Sequence, residues 1–141
     1  MRLEELKTTP ISKISSLVID PIKTAKANEK IEVALPNIKM EPTGSYKGVV
    51  VDDNNSLVGV VTGSDIVDRA LLKAIDPKVG TVSQVANPNP VKAKLSDTVD
   101  SVVSLFSTTS VPFIVITDDD GKPQGIIDRQ KFARVVRDLL T

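Results

Sequence analysis

A strand-to-helix joint occurs twice in this chain, and its recurrence constrains the fold more than any other feature. In residues 57–72, LVGVVTGSDIVDRALL, a β-branched run ends at Gly59-Val60-Val61 and a helix pattern begins after Thr62-Gly63-Ser64-Asp65. The design returns as Gln124-Gly125-Ile126-Ile127-Asp128-Arg129-Gln130-Lys131, again followed by a helix pattern. Gly59 and Gly125 lie 66 residues apart and Pro21 and Pro90 lie 69 apart, so the copies differ by small insertions. A unit of roughly 65 residues buries little core by itself. Two sequential copies of strand–helix–strand–strand–helix must therefore share their burial.

The rest of the chain fits that plan. Residues 1–10 are a polar lead-in. Ile11, Ile14, Leu17 and Val18 predict a short helix that Asp20-Pro21 ends, and Ile22 to Ala27 predict a strand. Ile31, Ala34, Leu35 and Ile38 form an apolar helix stripe, which Pro36 should kink or cut short. Valine runs on either side of Asp52-Asp53-Asn54-Asn55 predict an antiparallel hairpin. Ile66, Val67, Ala70, Leu71 and Ala74 predict the buried stripe of a helix stopping near Asp76-Pro77. In the second copy, Val82 and Val85 mark a short helix and Val91 to Lys94 a strand. Ser96 is the expected N-cap of a helix with Val99, Val102, Val103 and Phe106 inward. Pro112 to Thr117 and Gln124 to Ile127 predict the second hairpin. Phe132, Val135, Val136, Leu139 and Leu140 are the stripe of the last helix. The division expected from the repeat is a lead-in at 1–10, one repeat at 11–77 and another at 78–141, together one module.

Composition excludes several kinds of function. The 18 basic and 18 acidic residues cancel, so no general attraction to nucleic acid or anionic membrane follows. With 3% aromatic residues, few platforms exist for stacking single-stranded bases. The chain lacks His and Cys, which removes the commonest general base, the commonest metal ligand and all thiolate chemistry. No apolar run approaches the roughly 18 residues that span a bilayer, and the N-terminus is not a signal peptide. A soluble cytoplasmic protein is the expectation.

The joint itself has two compatible readings. In the first, Thr62 caps the helix and Asp65 reaches back to close a capping box, with no ligand involved. In the second, free N–H groups at the helix start, close approach at Gly63 and the hydroxyls of Thr62 and Ser64 receive a polar ligand, while Asp65 accepts from ribose hydroxyls. In the second copy Asp128 stands for Thr62 and Lys131 for Asp65. Asp128 still caps, but an ammonium cannot accept from a ribose. Arg129 and Lys131 are open to two readings, phosphate contacts or solvated surface charge. Asp118-Asp119-Asp120 reads as a hairpin turn, because calcium-loop spacing is absent, and no metal site is expected.

With Val49-Val50-Val51-Asp52 and Leu57 to Ile66 in one copy, and Pro90-Val91-Lys92, Ser96 to Val99, Asp118 to Gly121 and Gly125-Ile126-Ile127 in the other, the chain resembles a tandem pair of CBS (cystathionine β-synthase) domains over residues 11–140. The resemblance implies an α+β or α/β fold of two βαββα repeats, packed by pseudo-two-fold symmetry through their sheets, with two clefts. It implies sensing of an adenine nucleoside or nucleotide such as AMP, ADP, ATP or S-adenosylmethionine, with Asp65 on the ribose and no required cofactor. An adenine slot at Ala86, Pro90, Val91, Pro112 and Phe113 is implied too, although each is equally at home in a plain core. Family members often carry phosphate-binding basic residues where Pro112 and Phe113 stand, so tight polyphosphate binding is not expected there. Ile22, Lys47, Asp128, Arg129 and Lys131 would line the second, degenerate cleft.

Stand-alone members of this kind imply a homodimer and a regulated enzyme or transporter as partner. The leading expectation is thus a non-catalytic ligand sensor. The alternative is a protein-interaction or dimerisation module with empty clefts, and nothing in the spacing gathers the groups an enzyme needs.

Overall fold

The valine runs flanking Asp52-Asp53-Asn54-Asn55 form the expected hairpin in a computed structural model that describes residues 1–141. Chain order is α1 (Leu3–Lys7), α2 (Ser15–Val18), β1 (Ile19–Asp20), β2 (Thr24–Lys26), α3 (Ile31–Ile38), β3 (Lys39–Met40), β4 (Ser45–Val51), β5 (Leu57–Thr62) and α4 (Gly63–Asp65). There follow α5 (Val82–Val85), β6 (Lys92–Ala93), α6 (Val99–Thr108), β7 (Phe113–Thr117), β8 (Pro123–Asp128) and α7 (Arg129–Leu140). The architecture is mixed α+β, and its residues gather into two units.

Unit 2 comprises Ile22–Pro90 with Gly121–Pro123. Its β4 pairs antiparallel with β5 (Val49 opposite Val60) and parallel with β2 (Ala25 opposite Val50). Val49, Val50 and Val51 are all buried, which explains their unbroken apolar run. The core collects Ala25, Ala34, Ile38, Val50, Val61 and Val82. Pro36 lies inside α3, which holds eight residues against ten in its counterpart α6. Beside β5, Asn87 makes an antiparallel bridge to Val60, with backbone bonds of 3.0 and 2.8 Å. The approach is tight: a Cβ on Gly59 would stand 2.7 Å from the Asn87 carbonyl oxygen. Only glycine fits there.

Unit 1 comprises Met1–Pro21, Val91–Asp120 and Gln124–Thr141. Its sheet runs β1-β8-β7-β6, with β1 antiparallel to β8 (Ile19 opposite Ile127) and β6 parallel to β7. Apart from β3, which has no counterpart here, the pairing repeats that of unit 2, down to Gly125, whose Cβ would meet Ile19. Its core joins Leu6, Ile11, Ile14 and Val18 from the start of the chain to Val102, Ile114, Ile116 and Phe132 from the second copy. Burying each such side chain contributes about 1.5–3 kcal/mol. The first helix and strand of the chain therefore complete the sheet built from the second copy, and residues 82–87 do the same for the first.

Four expectations are corrected. Ser96 does not cap α6; Thr98 does, its hydroxyl accepting from Ser101 N at 3.2 Å, because the apolar stripe begins at the next residue. The strand after Pro21 is only Thr24–Lys26, while Ile19 and Asp20 form an unforeseen strand. After the first joint, three α-helical residues give way to a π-helical turn, Ile66–Leu71. Its wider winding breaks the 3.6-residue stripe: only Ala70 is buried, while Val67, Leu71 and Ala74 face solvent. The chain reverses at Ala74, whose φ is +55°. Lastly, Val103 and Leu140 are exposed rather than inward.

Candidate ligand-binding site

Of the implied site residues, Ile22, Lys47, Thr62, Gly63, Ser64, Asp65, Ala86 and Pro90 lie in unit 2. Val91, Pro112, Phe113, Asp128, Arg129 and Lys131 lie in unit 1.

In unit 2, β5 delivers Thr62 to the start of α4, and Lys47 stands opposite Thr62 in the β4–β5 register. The capping box is complete. Asp65 N donates to Thr62 Oγ1 at 3.3 Å, and Asp65 Oδ2 accepts from Thr62 N at 2.8 Å and from Thr62 Oγ1 at 3.0 Å. The cap uses one carboxylate oxygen only. Oδ1 accepts from no protein group, and the side chain is half-buried, so an acceptor remains for a ligand hydroxyl. A Cβ on Gly63 would meet nothing within 4 Å, which leaves the backbone open to approach. Ser64 is exposed. Because α4 spans three residues before the π-turn, little helix dipole backs this joint, and Asp65 is its principal polar feature. Ala86 is buried in the unit 2 core, and Arg69 donates to its carbonyl oxygen. Pro90 is half-buried.

In unit 1 the equivalent side chains are engaged within the unit. Lys131 N donates to Asp128 Oδ2 at 2.9 Å, and Lys131 Nζ donates to Asp20 Oδ1 at 2.6 Å. Arg129 donates from Nε to the Val111 carbonyl at 2.8 Å and from one terminal nitrogen to the Thr109 carbonyl at 2.7 Å. Its guanidinium carbon lies 4.9 Å from the centroid of the Phe106 ring. Phe113 is buried, Val91 packs against the unit 1 core and Pro112 is exposed.

Sequence reasoning missed Asp20, Arg69 and Asn87. Asp20 and Asn87 each sit beside the strand residue two positions before a cap, Ile126 and Val60 respectively. Matching Pro21 to Pro88, 67 residues on, instead of to Pro90 aligns the two.

A model of the CBS domain family matches this chain twice, at residues 14–72 and 82–138. The chain is 28% identical over 131 residues to an uncharacterized 17.7 kDa protein of Acidianus ambivalens, covering 92% of this chain and 76% of that one. It is 28% identical over 135 residues to the inosine-5'-monophosphate dehydrogenase of Methanocaldococcus jannaschii, covering 91% of this chain but only 25% of the enzyme. Among solved structures, the CBS domain pair of protein MJ0100, in complex with 5'-methylthioadenosine and S-adenosyl-L-methionine, has a TM-score of 0.74 at 23% identity over 94% of this chain and 98% of that one. CBSX2 in complex with AMP has a TM-score of 0.71 at 24% identity over 94% and 99%. At these identities the structural likeness establishes the fold alone. No helix is long and apolar enough to cross a membrane.

Proposed function

This chain belongs to the CBS domain family, and from that premise we propose that it is a non-catalytic regulatory module binding an adenine nucleoside or nucleotide through Thr62, Gly63, Ser64 and Asp65. The observation that carries the reading is Asp65, whose carboxylate closes the capping box through Oδ2 alone, which supports a role for Oδ1 as acceptor of a ribose hydroxyl. Two relatives of the same fold were solved with AMP, S-adenosylmethionine or methylthioadenosine, which supports an adenosyl ligand here. The slot residues Ala86, Pro90, Val91, Pro112 and Phe113 belong to this proposal as the surroundings of the base. Ligand binding would bias the population of conformers that a regulated enzyme or transporter meets. Calorimetry with AMP, ADP, ATP and S-adenosylmethionine tests the reading, and absence of binding to all four at millimolar concentration defeats it.

A second reading has its own observation. Val67, Leu71 and Leu72, just past the joint, are 53%, 72% and 81% exposed. Apolar surface of this kind suits a protein contact, with a homodimer as the simplest partner. Sedimentation of the wild type against Leu71→Glu measures it; a wild type that is monomeric throughout refutes the homodimer.

A further inference from the structure

We infer that the joint of unit 1 is closed by the protein's own Lys131–Asp20 ion pair, so that the two copies of the scaffold yield one ligand site instead of two. The stoichiometry rests on the adenosyl reading of the Thr62 joint; the closure rests on unit 1 alone.

The two joints are equivalent part by part. Asp128 and Thr62 are the caps, each accepting from the backbone three residues on. Lys131 and Asp65 are those third residues. Asp20 and Asn87 pair with Ile126 and Val60, two positions before each cap. In unit 1 the outer two positions carry opposite charges and meet at 2.6 Å, with both side chains 29% exposed. In unit 2 the same positions carry an acid and a neutral amide, which do not bond to each other. Asp65 turns back to Thr62, and Asn87 Oδ1 accepts from Asn89 N at 3.0 Å.

The consequences for a ligand are opposite. At the Thr62 joint a ribose hydroxyl finds an acceptor that the fold leaves open. At the Asp128 joint it must displace a short, charge-assisted bond between half-buried groups, which strands a carboxylate on Asp20. A phosphate fares no better, because Lys131 is committed to Asp20 and Arg129 to two carbonyl oxygens and the Phe106 ring. The ion pair is thus a built-in occupant. It also ties the first segment of the chain to the last helix, so evicting it would loosen the sheet that β1 completes.

The test has two arms on the full chain. Calorimetric titration with AMP should give one equivalent per wild-type chain. The variant D20N/D128T/R129G/Q130S/K131D, which installs Asn87, Thr62, Gly63, Ser64 and Asp65 of the first joint at the equivalent positions of the second, should take two. Two equivalents in the wild type overturn the inference, as does one equivalent in a folded five-fold variant. A wild type that binds no AMP refutes the Thr62 reading instead. The second arm uses no ligand. In a double-mutant cycle of Asp20→Ala and Lys131→Ala, the unfolding equilibrium should show a coupling of at least fivefold; additive single effects would refute the closure even if the five-fold variant fails to fold.

Discussion

Replacing Asp65 with alanine separates the two roles assigned to one carboxylate. The protein loses two hydrogen bonds to a charged acceptor, from Thr62 N at 2.8 Å and Thr62 Oγ1 at 3.0 Å. Losing a cap of this kind costs about 0.5–2 kcal/mol. For a chain of this size each kcal/mol moves the melting temperature by roughly 3–5 °C, so Tm should fall by about 2–10 °C. With a total stability of about 5–15 kcal/mol, the variant remains folded at 25 °C. Any affinity lost at that temperature therefore comes from the site. If Asp65 Oδ1 accepts from the ribose, its removal costs binding about 1.5–3 kcal/mol. That corresponds to roughly a 10- to 150-fold rise in Kd. Thermal unfolding without ligand, paired with AMP calorimetry at 25 °C, measures both numbers. A lowered Tm with an unchanged Kd would refute the reasoning and leave the motif as a helix cap.

Three further outcomes follow from the geometry. Gly63→Ala should change stability by less than about 0.5 kcal/mol, because the added methyl meets no atom. It should nonetheless weaken AMP, and unchanged affinity would place the ligand elsewhere. Arg129→Lys should lose about 1–3 kcal/mol in urea denaturation, since a compact ammonium lacks the planar fork whose separate nitrogens reach the Val111 and Thr109 carbonyls beside the Phe106 ring; a loss within experimental error contradicts this. The exposed Lys94–Asp119 pair, hydrogen-bonded at 2.9 Å, holds the Asp119 carboxyl below its ordinary value and the Lys94 amine above its own. Asp119's share of stability is present above the unfolded aspartate pKa and fades as pH falls through the lowered one. The share of Lys94 is present below its unfolded pKa and fades as pH rises through the raised one. A carboxyl NMR titration should show the Asp119 midpoint move up in Lys94→Ala, and no movement would deny the pairing.

The hairpins and the repeat were legible because β-branched runs around Asp- and Asn-rich turns have few alternatives. The tandem CBS pair followed from that order. What the sequence concealed was contact between distant parts. Asp20 looked like a helix terminator because only the tertiary fold brings it to Lys131, 111 residues away. Val67, Leu71 and Ala74 looked buried because a 3.6-residue period was assumed across a segment that winds as a π-turn. Ser96 and Thr98 both suit a cap; the turn in which Asp97 accepts from Lys94 N decided between them.

The placement of Met1–Pro21 in unit 1 has a consequence for how the chain is made. During synthesis Leu6, Ile11, Ile14 and Val18 emerge well before Ile127 and Phe132, which belong to the core that buries them. The separation of 111 positions from Asp20 to Lys131 takes about 5–20 s to synthesise at roughly 5–20 residues per second. For that interval the leading segment has no sheet to join and presents bare apolar side chains to chaperones or to other chains. Folding copy by copy from the N-terminus is closed to this topology. The core of residues 6–18 is complete only once α7 has been translated.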